Sequence, residues 1–301
     1  MTFANQADIQ NVAIGELGDD SLRVNGGRLA LFSSAPLDEP RRGLTEAIVV
    51  VHGALRNALD YFRSIEQAAH RLVIAPQFLT EDDVREREER AGYLHWRTED
   101  WKGGLGDVSS FTVMDELLRA LNAFPDLRRV TVVGNSAGGQ FVNRYAAVGH
   151  GPDDLRVPVR FVVANPSTYL YFDKDRPKGH SYIQCGDLED QWRYGFGGPL
   201  PPYIDVEEPI REYFRRYTER DVVYLLGEED ADPGAVLLEV HPAAEAQGRT
   251  RRERGENYHR YLAYKAGEVV HELVHVPGVG HDATAMFSSP QGRRCLFGDG
   301  R

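Results

Sequence analysis

The segment Val130-Thr131-Val132-Val133-Gly134-Asn135-Ser136-Ala137-Gly138-Gly139 constrains the chain more than any other. Its β-branched start predicts a short strand, and residues 139–148, with Phe141, Val142, Tyr145 and Ala146 at helical spacing, predict a helix. Between them the small residues let the chain reverse in one tight turn with Ser136 at the apex. A strand that feeds straight into a helix belongs to a layered fold in which helices cover a largely parallel sheet.

The same alternation runs through the rest of the chain. Strands are predicted over 29–32, 47–51, 72–75, 129–133, 159–164, 222–226 and 269–276, with Pro76 stopping the third. Helices are predicted over 57–70, from a cap at Ser109 or Ser110 to Phe124, over 207–217, over 258–266, and in a short piece after His281. The charge run 81–90 reads as a solvated face within a long loop. The regular alternation predicts one α/β domain over residues 1–301 with a doubly wound, mostly parallel sheet. Residues 170–205, aromatic and rich in glycine and proline, form either a cap-like insertion over a site or an insertion packed on the surface.

Composition narrows the function classes. A formal net charge of −11 with only local basic stretches, such as 249–254, argues against nucleic acid or an anionic membrane as a partner. Two cysteines, Cys185 and Cys295, are too few for a disulfide framework and fit a reducing, cytoplasmic setting. The first residues lack the basic start and apolar run of a secretory signal, and no apolar stretch reaches membrane-spanning length. Assembly into a homo-oligomer is compatible with the sequence.

Serine is a weak nucleophile at neutral pH, so acyl transfer at Ser136 requires a histidine base, an acid to orient it and donors for the oxyanion. The acidic loop Gly227-Glu228-Glu229-Asp230-Ala231-Asp232 follows a predicted strand and offers Asp230, with Asp232 as the alternative. His281 follows the last strand in a glycine-rich loop, completing the order serine, acid, histidine. His52-Gly53-Ala54 ends an earlier strand, so the N–H groups of Ala54 and Ala137 are the candidate oxyanion donors, and His52 is expected to hold the loop by hydrogen bonds. Trp96, Trp101, Trp192 and Tyr194 are candidate walls of a substrate pocket or core residues. The expected substrate is a small ester, and the chemistry needs no metal or organic cofactor.

Two rival readings stand beside this one. His271-Glu272-Leu273-Val274-His275-Val276-Pro277-Gly278-Val279-Gly280-His281 matches the zinc-protease pattern H-E-x-x-H-x-x-G-x-x-H. That chemistry requires a helix, whereas the valines and Pro277 favour a strand, in which His271 and His275 would lie roughly 13 Å apart. The other rival is a non-catalytic binding protein on the same scaffold, which would lack one of the three reacting groups.

Taken together, Val51-His52-Gly53-Ala54-Leu55-Arg56-Asn57, Gly134-Asn135-Ser136-Ala137-Gly138-Gly139-Gln140-Phe141 and Ala164-Asn165-Pro166-Ser167 resemble a bacterial and fungal branch of the α/β-hydrolase superfamily. Trp192-Arg193-Tyr194-Gly195, Gln247-Gly248-Arg249 and Pro277-Gly278-Val279-Gly280-His281-Asp282-Ala283 extend that resemblance. It implies a sheet of about eight strands and Ser136, Asp230 and His281 acting together in a serine esterase. It does not imply a substrate, because this superfamily hosts many reactions. Arg56 and Asn57 look like a fixed feature of the branch, with a structural role expected.

Overall fold

The computed structural model describes residues 14–85 and 87–298. Eight strands form one sheet: β1 (Asp20–Val24), β2 (Gly27–Ser33), β3 (Glu46–Val51), β4 (Arg71–Gln77), β5 (Arg129–Asn135), β6 (Val159–Ala164), β7 (Asp221–Gly227) and β8 (Glu272–Val276). Their order across the sheet is β1-β2-β4-β3-β5-β6-β7-β8. β2 pairs antiparallel with both neighbours, and every pairing from β4 to β8 is parallel. The helices that bear on the site or the core are α1 (Ala58–Ser64), α2 (Ser110–Leu121), α3 (Ala137–Val148), α4 (Ile210–Glu219), α5 (Arg251–Ala266), α6 (Ala283–Ser288) and α7 (Pro290–Phe297).

Successive strand residues point to opposite faces, and the core divides accordingly. Val49, Val51, Val132, Phe161 and Tyr224 pack with side chains of α2, α3, α4 and α5. Their sequence neighbours Ile48, Val50, Val133, Val162 and Leu225 pack on the other face with α1, α6 and α7. The sheet is thus buried on both sides, which is why its central strands read as unbroken apolar runs.

Several elements depart from the sequence expectation for local reasons. Helix α1 stops at Ser64 rather than near His70, because Ile65 is extended and the Ser64 hydroxyl turns back to the Tyr61 carbonyl at 2.7 Å. β4 continues through Pro76, which lies past Ile74, the last residue of β4 paired with β3, so the missing N–H does not break that ladder. Strand β1 escapes the pattern because Asp20-Ser21-Leu22-Arg23-Val24 is a half-polar edge strand. Helix α5 begins at Arg251, capped by Thr250, a full two turns before the apolar residues that announce it.

The structure corrects the reading of the charge run and places the aromatic segment. The run 81–90 is not wholly solvated: Asp83 and Arg90 are buried, and Asp83 accepts from the backbone N–H and hydroxyl of Thr80. Within 170–205 a hairpin (Asp175–Lys178 with Ser181–Gln184) is followed by buried aromatics, and Tyr171, Phe172, Trp192 and Phe196 belong to the main core. Among the described residues no helix is long and apolar enough to cross a membrane.

Candidate active site

Strands β3, β5, β7 and β8 deliver the candidate residues to one edge of the sheet, since Ala54, Ser136, Asp230 and His281 each follow the carboxyl end of a strand. That edge is where open α/β sheets place their ligand sites. Ser136 sits between β5 and α3 at φ +61° and ψ −121°, a strained conformation that costs on the order of 1–3 kcal/mol. Its N–H donates to the Ala164 carbonyl at 3.0 Å, which anchors the turn on β6. The turn closes only because its flanks lack side chains: a Cβ on Gly138 would lie 2.2 Å from the Val51 carbonyl oxygen, and one on Gly139 would lie 2.4 Å from that of Ala164. Gly138→Ala should therefore lower stability by at least about 2 kcal/mol in urea unfolding; wild-type stability would contradict this packing.

His281 Nδ1 and Asp230 Oδ2 lie 2.6 Å apart, and Asp230 is buried. Burial alone would raise the Asp230 pKa, but the hydrogen bond and charge of His281 and the cation of Arg251 outweigh it and hold the carboxyl below its usual range. The ionised Asp230 fixes a proton on Nδ1, which leaves Nε2 as the basic nitrogen. Ser136 and His281 line the same cleft. Asp232 faces elsewhere, its carboxylate accepting the Gly234 N–H at 2.8 Å.

Arg251, which the sequence reading passed over, holds this arrangement from the start of α5. Its Nη1 donates to Asp230 Oδ1 at 3.2 Å, its Nε to the Ser167 hydroxyl at 3.1 Å and its Nη2 to the Val236 carbonyl at 3.0 Å. Asn165 directly follows β6. Its side-chain oxygen accepts the Gly227 N–H at 2.9 Å and its amide donates to Asn135 at 3.3 Å, so it ties the serine strand to the acid strand.

The Ala54 loop is held as expected of His52. The buried imidazole donates from Nδ1 to the Gly53 carbonyl at 2.8 Å and accepts the Phe78 N–H at Nε2 at 2.9 Å. Arg56 closes the loop through a bidentate pair with Asp83, with Nε–Oδ2 at 2.6 Å, and donates to the Ala54 carbonyl at 3.1 Å. Asn57 stands at the cap position of α1, where its amide donates to Asp60 at 2.8 Å. Ala137 opens α3, so its N–H is one of the helix-end donors without an intrahelical acceptor.

Burial pushes His52 down to about 4, and likewise His271, whose ring donates to the Tyr217 carbonyl and accepts from the Tyr224 hydroxyl. Both are neutral when folded but bind a proton near pH 6.5 when unfolded, so the unfolded state gains protons first and stability falls as pH drops from about 6.5 towards 4. Each should remove on the order of 3 kcal/mol by pH 4. An NMR titration in which either imidazole titrates near pH 6.5 in the folded protein would contradict this.

The zinc pattern is dispersed by the strand that carries it. Residues Glu272–Val276 form β8, His271 is spent on Tyr217 and Tyr224, His275 pairs with Glu256 at 3.1 Å, and His281 turns to Asp230. Of the four candidate aromatics, Trp101 lines the cavity beside Ser136. The other three are not among its lining residues: Trp96 Nε1 donates to the Val108 carbonyl, Trp192 Nε1 to the Gly103 carbonyl, and Tyr194 donates its hydroxyl to Glu239, which itself lines the cavity.

No protein-family profile and no curated protein matches the sequence. Among solved structures the chain is similar to poly(aspartic acid) hydrolase-1 from Sphingomonas sp. KT-1, at 23% identity and a TM-score of 0.64, covering 91% of this chain and 96% of that one. It is also similar to a poly(3-hydroxybutyrate) depolymerase from Bordetella parapertussis, at 21% identity and a TM-score of 0.65, covering 93% and 94%. The chain has the α/β-hydrolase fold. In it, Ser136 after β5, Asp230 after β7 and His281 after β8 all stand at the carboxyl edge of the sheet.

Proposed function

We propose that the protein is a serine hydrolase that cleaves carboxylic esters through an acyl-enzyme. The observation that carries this reading is the Asp230–His281 pair at 2.6 Å beside a strained, glycine-walled Ser136. Such strain is retained where a function needs the side chain presented. The names of the two structural neighbours, a hydrolase and a depolymerase, accord with it.

In the proposed reaction Ser136 Oγ attacks the ester carbonyl carbon while its proton passes to His281 Nε2. The Ala54 and Ala137 N–H groups stabilise the oxyanion, and Asp230 stabilises the imidazolium. The C–O bond then breaks, and the leaving alcohol takes the proton from His281. Water, deprotonated by the same nitrogen, releases the acid and restores Ser136.

Two cavities meet at Ser136: a partly enclosed pocket that includes Ala54, Ala137 and Trp101, and a more open groove that includes His281. Because the leaving alcohol is protonated by His281, it belongs on the groove side, and the acyl group belongs in the pocket.

A panel of 4-nitrophenyl esters tests the reading. The expected result is steady hydrolysis preceded by a burst of nitrophenolate approaching one equivalent per protein wherever deacylation is the slower step. Absence of hydrolysis across the panel would overturn it.

A further inference from the structure

The pocket assigned to the acyl group is charged, which is an unusual wall for an alkyl chain. Lys102, Glu99 and Glu239 all line it, and Lys102 and Glu239 are buried. Lys102 Nζ bonds to Glu99 Oε1, which occupies one of its three donors. Glu239 is held by neutral groups, the Tyr194 hydroxyl and the Gln140 amide, the latter at 3.3 Å. Lys102 and Glu239 make no direct ion pair, although each feels the other's charge. The pocket therefore presents spare donors on an ammonium and spare acceptors on a carboxylate.

From this arrangement we infer that the pocket selects an uncharged acyl group bearing a hydroxyl, a deepening that rests on the acyl-enzyme reading above. An alkyl acyl group would exclude water from both charges and offer neither any further hydrogen bond. An anionic acyl group would satisfy Lys102 but face Glu239 and Glu99. A cationic one would satisfy Glu239 but face Lys102 and, behind it, Arg193 and Arg144, both of which act electrostatically on Glu239 or are acted on by it. A hydroxyl accepts from the ammonium and donates to the carboxylate at once, so both charges keep a partner and their mutual compensation is undisturbed.

The test uses four 4-nitrophenyl esters of similar length: butyrate, 3-hydroxybutyrate, the glutarate half-ester and 4-aminobutyrate. For the wild-type protein, kcat/KM should be highest for the hydroxy ester, at least tenfold above butyrate. Neutralising one charge at a time should then swap the preference. Glu239→Gln removes one of the two carboxylates whose charge acts on Lys102, leaving only Glu99, and should shift the preference towards the half-ester. Lys102→Met leaves the carboxylates and should favour the amino ester. Fluorophosphonate labelling of Ser136 in each variant reports that the site is intact, and Glu239→Gln stands alone if Lys102→Met does not fold.

Butyrate preferred by the wild-type protein, or a charge preference unmoved by Glu239→Gln, would overturn the inference while labelling and hydrolysis leave the acyl-enzyme reading standing. No hydrolysis and no labelling of the wild-type protein would instead remove the reading on which it rests.

Discussion

Ser136→Ala should lower kcat for a hydrolysed ester by roughly 10⁴- to 10⁶-fold, since the covalent route is lost and only the binding groups and oxyanion donors remain. The protein should stay folded, because the turn is held by the Ser136 N–H to the Ala164 carbonyl and by the packing of Gly138 and Gly139, none of which involves the hydroxyl. Ser136→Gly sharpens the point. Glycine adopts φ +61° freely, so this variant should be as inactive as alanine yet gain about 1 kcal/mol of stability in urea unfolding. A glycine variant less stable than the alanine variant would argue that the backbone at 136 is not strained.

Asp230→Asn should lower kcat by about 10⁴-fold through a tautomer error. Arg251 Nη1 donates to Oδ1 of residue 230 and His281 Nδ1 faces Oδ2. An asparagine must keep its one oxygen for the Arg251 donor, so its NH2 group would face His281. The imidazole would then accept at Nδ1 and carry its proton on Nε2, where it cannot take the proton of Ser136. Stability changes are a poor guide here, so the check is kcat on the best ester together with the rate of fluorophosphonate labelling, both of which should fall. A loss of less than tenfold would mean that Asp230 does not orient the base.

The residues that could be read from the sequence are those whose role demands a local pattern. Gly134, Gly138 and Gly139 had to be small to let backbone atoms touch, and Ser136 stands out between them. His281 could be placed because it follows a valine-rich strand through a glycine loop, and the valines and Pro277 already told against the helix that the zinc reading needs. Asp230 and Asp232 are two positions apart in one loop, and only the turn geometry separates them, Asp232 being engaged by Gly234. The order of strands across the sheet, once eight were in hand, follows from parallel pairing that no single segment encodes.

What was missed depends on contacts between distant segments. Arg251 lies in a stretch that looks like a solvated basic patch, and its burial is decided by Asp230, Ser167 and Val236 rather than by its own neighbours. Asp83 is hidden in an acidic run for the same reason, its partner Arg56 lying 27 positions earlier. The charged pocket joins Glu99 and Lys102 to Glu239, far along the chain from both. The indoles of Trp96 and Trp192 could equally have been wall or core, and the choice rested on where their N–H groups found a carbonyl.

The most direct test of the account is to treat the protein with a fluorophosphonate and map the adduct by mass spectrometry. One stoichiometric adduct is expected, on the peptide containing Gly134-Asn135-Ser136-Ala137-Gly138 and at the Ser136 hydroxyl, lost in Ser136→Ala and unaffected by a metal chelator. An unlabelled Ser136 in a protein that still hydrolyses esters, or an adduct on another residue that persists in Ser136→Ala, would contradict it.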